Sequence, residues 1–382
     1  MKKIFLIVLY SISIIPVYSQ TDSTASDSLL LLQIQNQLKI PESTNSIPSR
    51  SSISANPDIS VIGDFRANYQ SNYTRHFNAN LNETEISFQS VVDPYVRADF
   101  FVSLSRNQET GAFDVGVEEG YLTTISLPAH LQLKAGKFKQ MFGRINFLHP
   151  HALPFIDMPN AFVRFFGEEG LNDAGLSLSW LLPNNSFFQE LTVEITDGPH
   201  ESPSFIRSSG NNFIGLAHLK NFWDLTNNAT LEFGLTGISG PNVSNKITSI
   251  AAADLTYKWK PVKFNTYKSV TFQNEFYYSH TPYLTKSINS IGFYSMLLMQ
   301  ISKRTFLTGR YDYTNKPTSN KFVEEAGSFT VGWYLTEFQK IELQVKNTSA
   351  NSEEIENNYK KNFNQVFIRW IFVIGSHGAH KY

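Results

Sequence analysis

The sequence predicts an all-β fold, a transmembrane antiparallel β-barrel of about sixteen strands with an inward-folded third extracellular loop. Three observations support this prediction. Apolar and polar residues alternate with a period of two beyond Asp58, the connections alternate between short and long, and the chain contains 31 Phe, 17 Tyr and 5 Trp. In such a barrel each strand has one lipid-facing and one lumen-facing side, and aromatic residues form belts at both membrane surfaces.

The first 19 residues are typical of a secretory signal peptide. Two lysines precede an apolar run from Ile4 to Val17, and the small residue Ser19 marks a cleavage site. No later apolar run approaches the length of a membrane-spanning helix. The chain is therefore expected to be exported, and a helical membrane protein is excluded.

Residues 20–57 are rich in Ser, Thr, Asn and Pro and are expected to form a periplasmic tether. Leu30, Ile34 and Leu38 fall four residues apart on one helical face. Two alternatives stay open: a short helix that forms a small coiled coil, or a tether whose helix frays. Residues 58–382 then make up the barrel.

Composition excludes several classes of protein. The chain has no cysteine, so it has neither disulfides nor thiolate chemistry. Without the two lysines of the signal peptide, 30 basic residues stand against 33 acidic ones, which argues against nucleic acid as a partner. No G-x-S-x-G motif occurs, and Ser177 and Ser179 have no base near them in sequence, so an enzyme is not expected.

About sixteen alternating segments follow Asp58. In residues 96–104, for example, Val, Ala, Phe, Val and Leu alternate with Arg97, Asp99, Phe and Ser. An even number of strands closes a barrel with both chain ends on the periplasmic side. A soluble β-sandwich would also show alternating strands, but it would not need Trp180, Trp333 and Trp370 on outward faces.

The longest interruption of the pattern, residues 145–173, connects the fifth and sixth strands. Its prolines, Pro150, Pro154 and Pro159, forbid a regular helix or a central strand, whereas its many apolar residues make it too hydrophobic for a solvated linker. We expect it to fold into the lumen and narrow the pore. Its charged residues are the predicted constriction: Asp157, Arg164, Glu168 and Glu169.

Strand parity predicts which side chains line the lumen, although a single β-bulge would reverse the assignment of a strand. The inward set contains more acids than bases, which favours a weak preference for cations. Glu118 next to Glu119 breaks the parity, and a bulge or a subunit contact would explain this. The predicted lumen residues are Arg97, Asp99, Glu118, Lys134, Arg310, Asp312 and Arg369.

Two close histidine pairs occur, His149 with His151 in the loop and His377 with His380 in the tail. Imidazoles at such spacing can chelate zinc or copper. The two pairs should lie at opposite ends of the barrel, so loop packing and an exposed tail are the alternative to metal binding. No other cofactor is expected.

The run EEGYLTTISLPAHLQLKAGKFKQMFGRINFLHPHALPFIDMPNAFVRFFGEEGLNDAGLSLSWLLP, at residues 118–183, resembles a family of Gram-negative outer-membrane porin-like proteins. PDISVIGDF before it and GSHGAHKY at the end extend the resemblance. Some members carry the label of zinc-regulated TonB-dependent receptor. More distantly the chain is similar to the phosphate-selective porin O and P group, which implies a trimer of sixteen-stranded channels with an inward third loop.

Residues 20–57 are too few for the plug domain of a TonB-dependent receptor, so that mechanism is not expected. The sequence instead predicts a trimeric channel, embedded in outer-membrane lipid, for passive diffusion of small hydrophilic solutes or ions. Two alternatives remain: a substrate-specific or metal-linked uptake protein, and a barrel that serves as a scaffold or adhesion element and conducts little.

Overall fold

The computed structural model describes residues 57–71, 76–106, 112–183, 186–198, 202–206, 213–264, 267–351 and 362–375. The expected signal peptide, the tether helix and the tail histidines His377 and His380 lie outside these residues. Among the described residues, no helix is long and apolar enough to span a membrane.

Sixteen antiparallel strands form one closed barrel, in which each strand pairs with its neighbours in sequence and the first pairs with the last. The strands are β1 (Asp58–Gln70), β2 (Phe77–Asp93), β3 (Val96–Arg106), β4 (Phe113–Thr124), β5 (Leu131–Lys139), β6 (Asn172–Leu181), β7 (Phe188–Thr196), β8 (Ile214–Thr226), β9 (Ala229–Pro241), β10 (Ile247–Trp259), β11 (Ser269–Pro282), β12 (Ser287–Gln300), β13 (Thr305–Lys316), β14 (Ser319–Thr336), β15 (Gln339–Ala350) and β16 (Asn362–Gly375). The predicted antiparallel β-barrel of about sixteen strands is confirmed, and a sandwich is excluded because every edge is paired.

Successive apolar and polar residues of a strand lie on opposite faces of the barrel wall. In β15, Glu342 and Gln344 are fully buried, whereas Leu343 and Val345, which alternate with them, are each 47% exposed. Trp180, Trp333 and Trp370 are likewise exposed. The barrel therefore turns its apolar side chains outward and its polar side chains inward, which is the arrangement that a lipid environment requires.

The connections differ in length, and the expected alternation of short and long ones holds only in part, because residues 317–318 alone join β13 to β14 whereas residues 260–268 join β10 to β11. Turns of two residues join β2 to β3 and β14 to β15, at one end. At the other end, the connection between β5 and β6 spans residues 140–171, and we call it the β5–β6 loop. It contains a 3₁₀ turn at Pro150–Ala152 and a helix, α1, at Asn160–Phe166.

The expectation that the three prolines forbid a regular helix in this loop is wrong for α1. Pro159 occupies the N-cap of the helix, with φ of −55°, and the seven residues that follow contain no proline. A proline at the start of a helix costs nothing, because the first N–H groups of a helix have no intrahelical acceptor. Gly167, with φ of +88°, ends the helix.

Candidate functional site

The β5–β6 loop begins with a series of main-chain contacts to the inward faces of β7 and β11. The N–H of Met141 donates to Glu194 Oε2 at 2.9 Å. The N–H groups of Arg144 and Ile145 both donate to Glu275 Oε1, at 2.9 and 3.0 Å. Carboxylates thus satisfy main-chain donors that a segment without sheet or helix would otherwise leave unpaired.

Glu275 is the central acceptor of this first anchor. It is 1% exposed, and it also accepts hydrogen bonds from the hydroxyl groups of Tyr277 and Tyr294, each at 2.7 Å. Four donors around one carboxylate offset much of its desolvation. Gly143 packs against this carboxylate with φ of +57°, and a Cβ there would lie 2.3 Å from Glu275 Oε2. Both observations require glycine at this position.

Helix α1 packs an aromatic cluster against the same part of the wall. Phe162, Phe165 and Phe166 are fully buried. The ring of Phe166 lies 4.6 Å from that of Phe142, in an edge-to-face arrangement, and the ring of Phe165 lies 5.6 Å from that of Tyr277. Apolar burial therefore adds to the polar anchors of the loop.

Asp157 connects the middle of the loop to β13 and β15. Arg310 donates to its Oδ1 at 3.0 Å, and Lys346 and Gln344 donate to the same carboxylate. Burial opposes the ionisation of Asp157, but the positive charges of Arg310 and Lys346 outweigh it and lower the pKa of the carboxyl well below its usual value. Arg310 in turn donates to Asp312 at 2.9 Å.

Glu324 in β14 and Arg369 in β16 complete the contacts on that side. Glu324 accepts hydrogen bonds from Asn160 at 2.5 Å and from Arg164 at 2.7 Å, which fixes α1. Arg369 is fully buried. It donates to Glu342 at 2.7 Å and to the carbonyl oxygens of Pro150 and Leu153 at 3.2 and 3.3 Å.

His149 occupies a group of carboxylates from β2 and β4. Its Nδ1 lies 2.9 Å from Glu85 Oε2 and 3.4 Å from Glu118 Oε1, and its Nε2 lies 2.9 Å from Glu119 Oε1. His151 Nδ1 is 3.6 Å from the same Glu85 oxygen. Burial lowers the pKa of His149, but the hydrogen bonds with Glu118, Glu119 and Glu85 outweigh it and raise the pKa well above its usual value.

A β-bulge explains how the adjacent residues Glu118 and Glu119 both reach this group. The pairing of β4 with β3 shifts by one residue there, so that Phe101 lies opposite Glu119 and Val102 lies opposite Val117. Both carboxylates are buried, at 7% and 5% exposed. A bulge inserts one extra residue and turns its side chain toward the face of its neighbour. Of the two explanations suggested by the sequence, the structure shows the bulge.

A polar cavity of about 630 Å³ lies between the loop and the wall formed by β1–β5 and β13–β16. The predicted constriction residues all border it. Asp157 and Arg164 do so while bonded to the wall, whereas Glu168 and Glu169 are exposed. The polar wall residues that border it include Arg66, Asn68, Gln70, Asn80, Asn82, Glu83, Ser103, Ser105, Lys316, Lys346 and Gln365.

The predicted lumen residues divide into two groups. Arg310, Asp312, Arg369 and Glu118 are buried where the loop meets the wall, as described above. The other three lie on β3 and β5. Arg97 pairs with Asp99 at 2.8 Å, and the Lys134 ammonium lies 4.5 Å from the centre of the Tyr121 ring.

Sequence reasoning did not single out Glu275 and Glu324 as loop anchors. Both are acids on the inward side of a strand, and parity placed Glu275 among many such acids. The choice among them depends on contacts between residues that are far apart in the chain, by 131 positions for Glu275 and by 160 positions for Glu324. No local pattern in a single sequence carries that information.

The fold is shared with solved outer-membrane barrels. The chain superposes on OmpTdeltaL8, a loop L8 deletion mutant of an outer membrane protein of Vibrio cholerae, with a TM-score of 0.55 and 9% identity over 83% of this chain and 99% of that one. An anion-selective porin from Comamonas acidovorans gives a TM-score of 0.55 and 9% identity over 83% of this chain and 98% of that one. OprB of Pseudomonas putida gives a TM-score of 0.53 and 8% identity over 83% of this chain and 94% of that one.

No family model matches the sequence. An uncharacterized protein of Aquifex aeolicus is 27% identical over 345 residues, which cover 79% of this chain and 70% of that protein. The solved structures show the fold alone at this level of identity. Together with the apolar outer face, a closed barrel of this kind agrees with the predicted location in an outer membrane.

Proposed function

We propose that this chain is a porin-like outer-membrane channel that passes small hydrophilic solutes or ions by passive diffusion, through a lumen narrowed by the β5–β6 loop. The polar cavity of about 630 Å³ between loop and wall is the observation that carries the proposal. Polar and charged side chains line it on both sides, as a path for hydrated solutes requires. The mechanism is diffusion, so no catalytic group is assigned.

The constriction in this proposal consists of Asp157, Arg164, Glu168 and Glu169. Asp157 and Arg164 have wall partners of opposite charge, so their fields largely cancel. Glu168 and Glu169 are exposed at the cavity and act at longer range. Their charges support a preference for cations, because two adjacent carboxylates at the cavity attract cations and repel anions.

A homotrimer is part of the proposal. One of the similar structures, of in-vitro folded OmpT from Vibrio cholerae, is of a trimer form and superposes with a TM-score of 0.54. The apolar outer face of this barrel offers a surface for lipid and for neighbouring subunits alike.

Conductance in planar lipid bilayers tests the proposal. The mature chain should insert in discrete steps, and replacing residues 148–166 by a short Gly-Ser linker should raise the conductance of each step several-fold, because it removes the segment that crosses the lumen. The reversal potential in a salt gradient should show cation preference for the intact chain.

The control replaces Glu337→Gln in the two-residue turn between β14 and β15, at the opposite end of the barrel, and should leave conductance and selectivity unchanged. Folding of every variant is verified by circular dichroism and by heat-dependent migration in gels. An absence of steps in both the intact and the loop-deleted chain would refute the channel. Anion preference would refute the assigned role of Glu168 and Glu169.

A further inference from the structure

The group around His149 brings together the ligand atoms that a cation site needs. Glu85, Glu118 and His149 each offer one ligand atom, and these atoms lie within 4.8 Å of one another. The contacts of Nδ1 with the two carboxylates, 2.9 and 3.4 Å, are close to the separation of about 3.3–3.6 Å between ligands of a tetrahedral ion at metal–ligand distances of about 2.0–2.2 Å.

Glu119 determines which nitrogen of His149 faces the cation position. Its Oε1 lies 2.9 Å from Nε2, so Nε2 carries a proton and donates it to this carboxylate. Nδ1 then faces oxygens of Glu85 and Glu118, which are acceptors. The position between these three atoms suits a proton on Nδ1 or a metal ion in its place. A carboxylate behind the imidazole is also the usual second shell of a metal-bound histidine.

The charge of the group leads to the same conclusion. Three carboxylates, on Glu85, Glu118 and Glu119, are all at most 7% exposed, and Lys139 supplies one ammonium group 3.0 Å from Glu118 Oε1. Among the described residues, Glu118 Oε2 is buried and accepts no hydrogen bond. The three carboxylates exceed the one ammonium group by two negative charges, and a proton on His149 compensates only one of them, which leaves costly buried charge. One divalent cation neutralises them.

We infer that Glu85, Glu118 and His149 form a binding site for one divalent transition-metal ion of the zinc class, with Glu119 as the second-shell acceptor of His149. A mixed set of imidazole and carboxylate ligands selects such an ion over Mg²⁺ or Ca²⁺, which prefer oxygen alone. His151 stands beside Glu85 as a further imidazole. The ion takes the place of the Nδ1 proton, which leaves to solvent.

The site borders the polar cavity, since Glu118 and Lys139 are among the residues that line it. An ion can therefore reach the ligands from the lumen. It would join the loop, through His149, to β2 and β4 through the two carboxylates. This inference does not depend on conduction, because the cluster would bind metal in a barrel that conducts nothing.

Zinc binding to the mature chain in detergent tests the inference by titration calorimetry with zinc ion alone as the probe. The chain carries His377→Ala and His380→Ala and no histidine tag, so that the tail does not contribute. We expect one equivalent of Zn²⁺ per chain and a higher unfolding temperature in its presence. Glu85→Gln and Glu118→Gln should each weaken binding more than tenfold, and Glu119→Gln by about 10–100-fold.

Asp254→Asn is the matched control, because Asp254 is also a buried inward acid but lies on β10, and this variant should bind zinc as the parent does. Cobalt gives a second readout, since its visible absorption intensifies when it leaves octahedral hydration for fewer ligands including imidazole. Failure of the parent to bind one equivalent of zinc, or undiminished binding in the Glu85→Gln/Glu118→Gln double variant, would reduce the cluster to a protonated imidazole among carboxylates. An unaltered cobalt spectrum would do the same.

Discussion

Asp157 is the residue through which the loop holds two strands at once. Arg310 and Lys346 lie on β13 and β15, and both direct positive charge to its carboxylate. Removing either the anion or its cations from such a buried group destabilises the fold, because the remaining charges keep their desolvation cost without compensation. Stability should therefore be sensitive to this one side chain.

Replacing Asp157→Asn should lower the free energy of unfolding by about 2–4 kcal/mol, below the upper end of the range for buried pairs because the side chain of Asp157 is 20% exposed. The folded pKa of Asp157 is lowered, so its contribution is complete above the unfolded pKa of about 3.9 and is lost as pH falls through the folded pKa. Urea titrations in micelles should find a constant difference between the two chains from pH 8 to about 5, shrinking only below about pH 4. A difference already lost at pH 6 would contradict this.

Gly143 is a residue at which the loop backbone packs directly against a wall side chain. Gly143→Ala should cost about 1–3 kcal/mol, because φ of +57° is strained for any residue with a Cβ and the added atom would overlap Glu275. Gly237→Ala is the control, since no atom lies within 4 Å of a Cβ at that position. Equal effects of the two substitutions in urea titrations would show that the loop adjusts at no cost.

Residues differ in how far a single sequence can place them. The period of two assigns Arg310, Asp312 and Arg369 to the inner face, and the structure has them buried. The same rule fails at Glu118 and Glu119, where two adjacent acids reveal an irregularity but the sequence alone does not decide between a bulge and a subunit contact. Which inward side chain meets the loop depends on the closed barrel, so Glu275 and Glu324 could not be selected.

At the scale of elements, α1 shows how tertiary contacts override local expectations. Prolines predicted an irregular loop, yet the stretch from Asn160 to Phe166 buries three aromatic rings and forms a helix. A helix of seven residues is too short to be stable alone. Its packing against β12 and β13 and its bonds to Glu324 must provide the stability.

Phe166→Ala should lower the free energy of unfolding by about 3–5 kcal/mol, because the ring is fully buried against Phe142 and Tyr277. Phe329→Ala, on the outward face of β14, removes a ring that is 46% exposed and should cost clearly less. Chemical unfolding followed by tryptophan fluorescence measures both. A cost at Phe329 equal to that at Phe166 would mean that α1 packs loosely.

At the scale of the whole molecule, the barrel presents opposite chemistries on its two faces, and the outer face decides where it can reside. Leu343→Arg, near the middle of β15, should reduce stability in phospholipid vesicles by about 2–4 kcal/mol, because the new charge must enter the hydrocarbon. Ser349→Arg lies on the same face near the end of the strand and should cost about 0–1 kcal/mol. Equal stability of the two variants would show that this face does not contact lipid.

The distribution of the loop anchors along the chain imposes an order on assembly. The partners of Asp157 lie 153 to 189 positions later in the sequence, and those of Arg144 up to 131 positions later. Contacts of such separation form late, because the intervening chain must first be organised. The loop, which occurs in the first half of the chain, can therefore complete its contacts only when the last strands are in place, so we expect the nascent barrel to form around a lumen that is still wide.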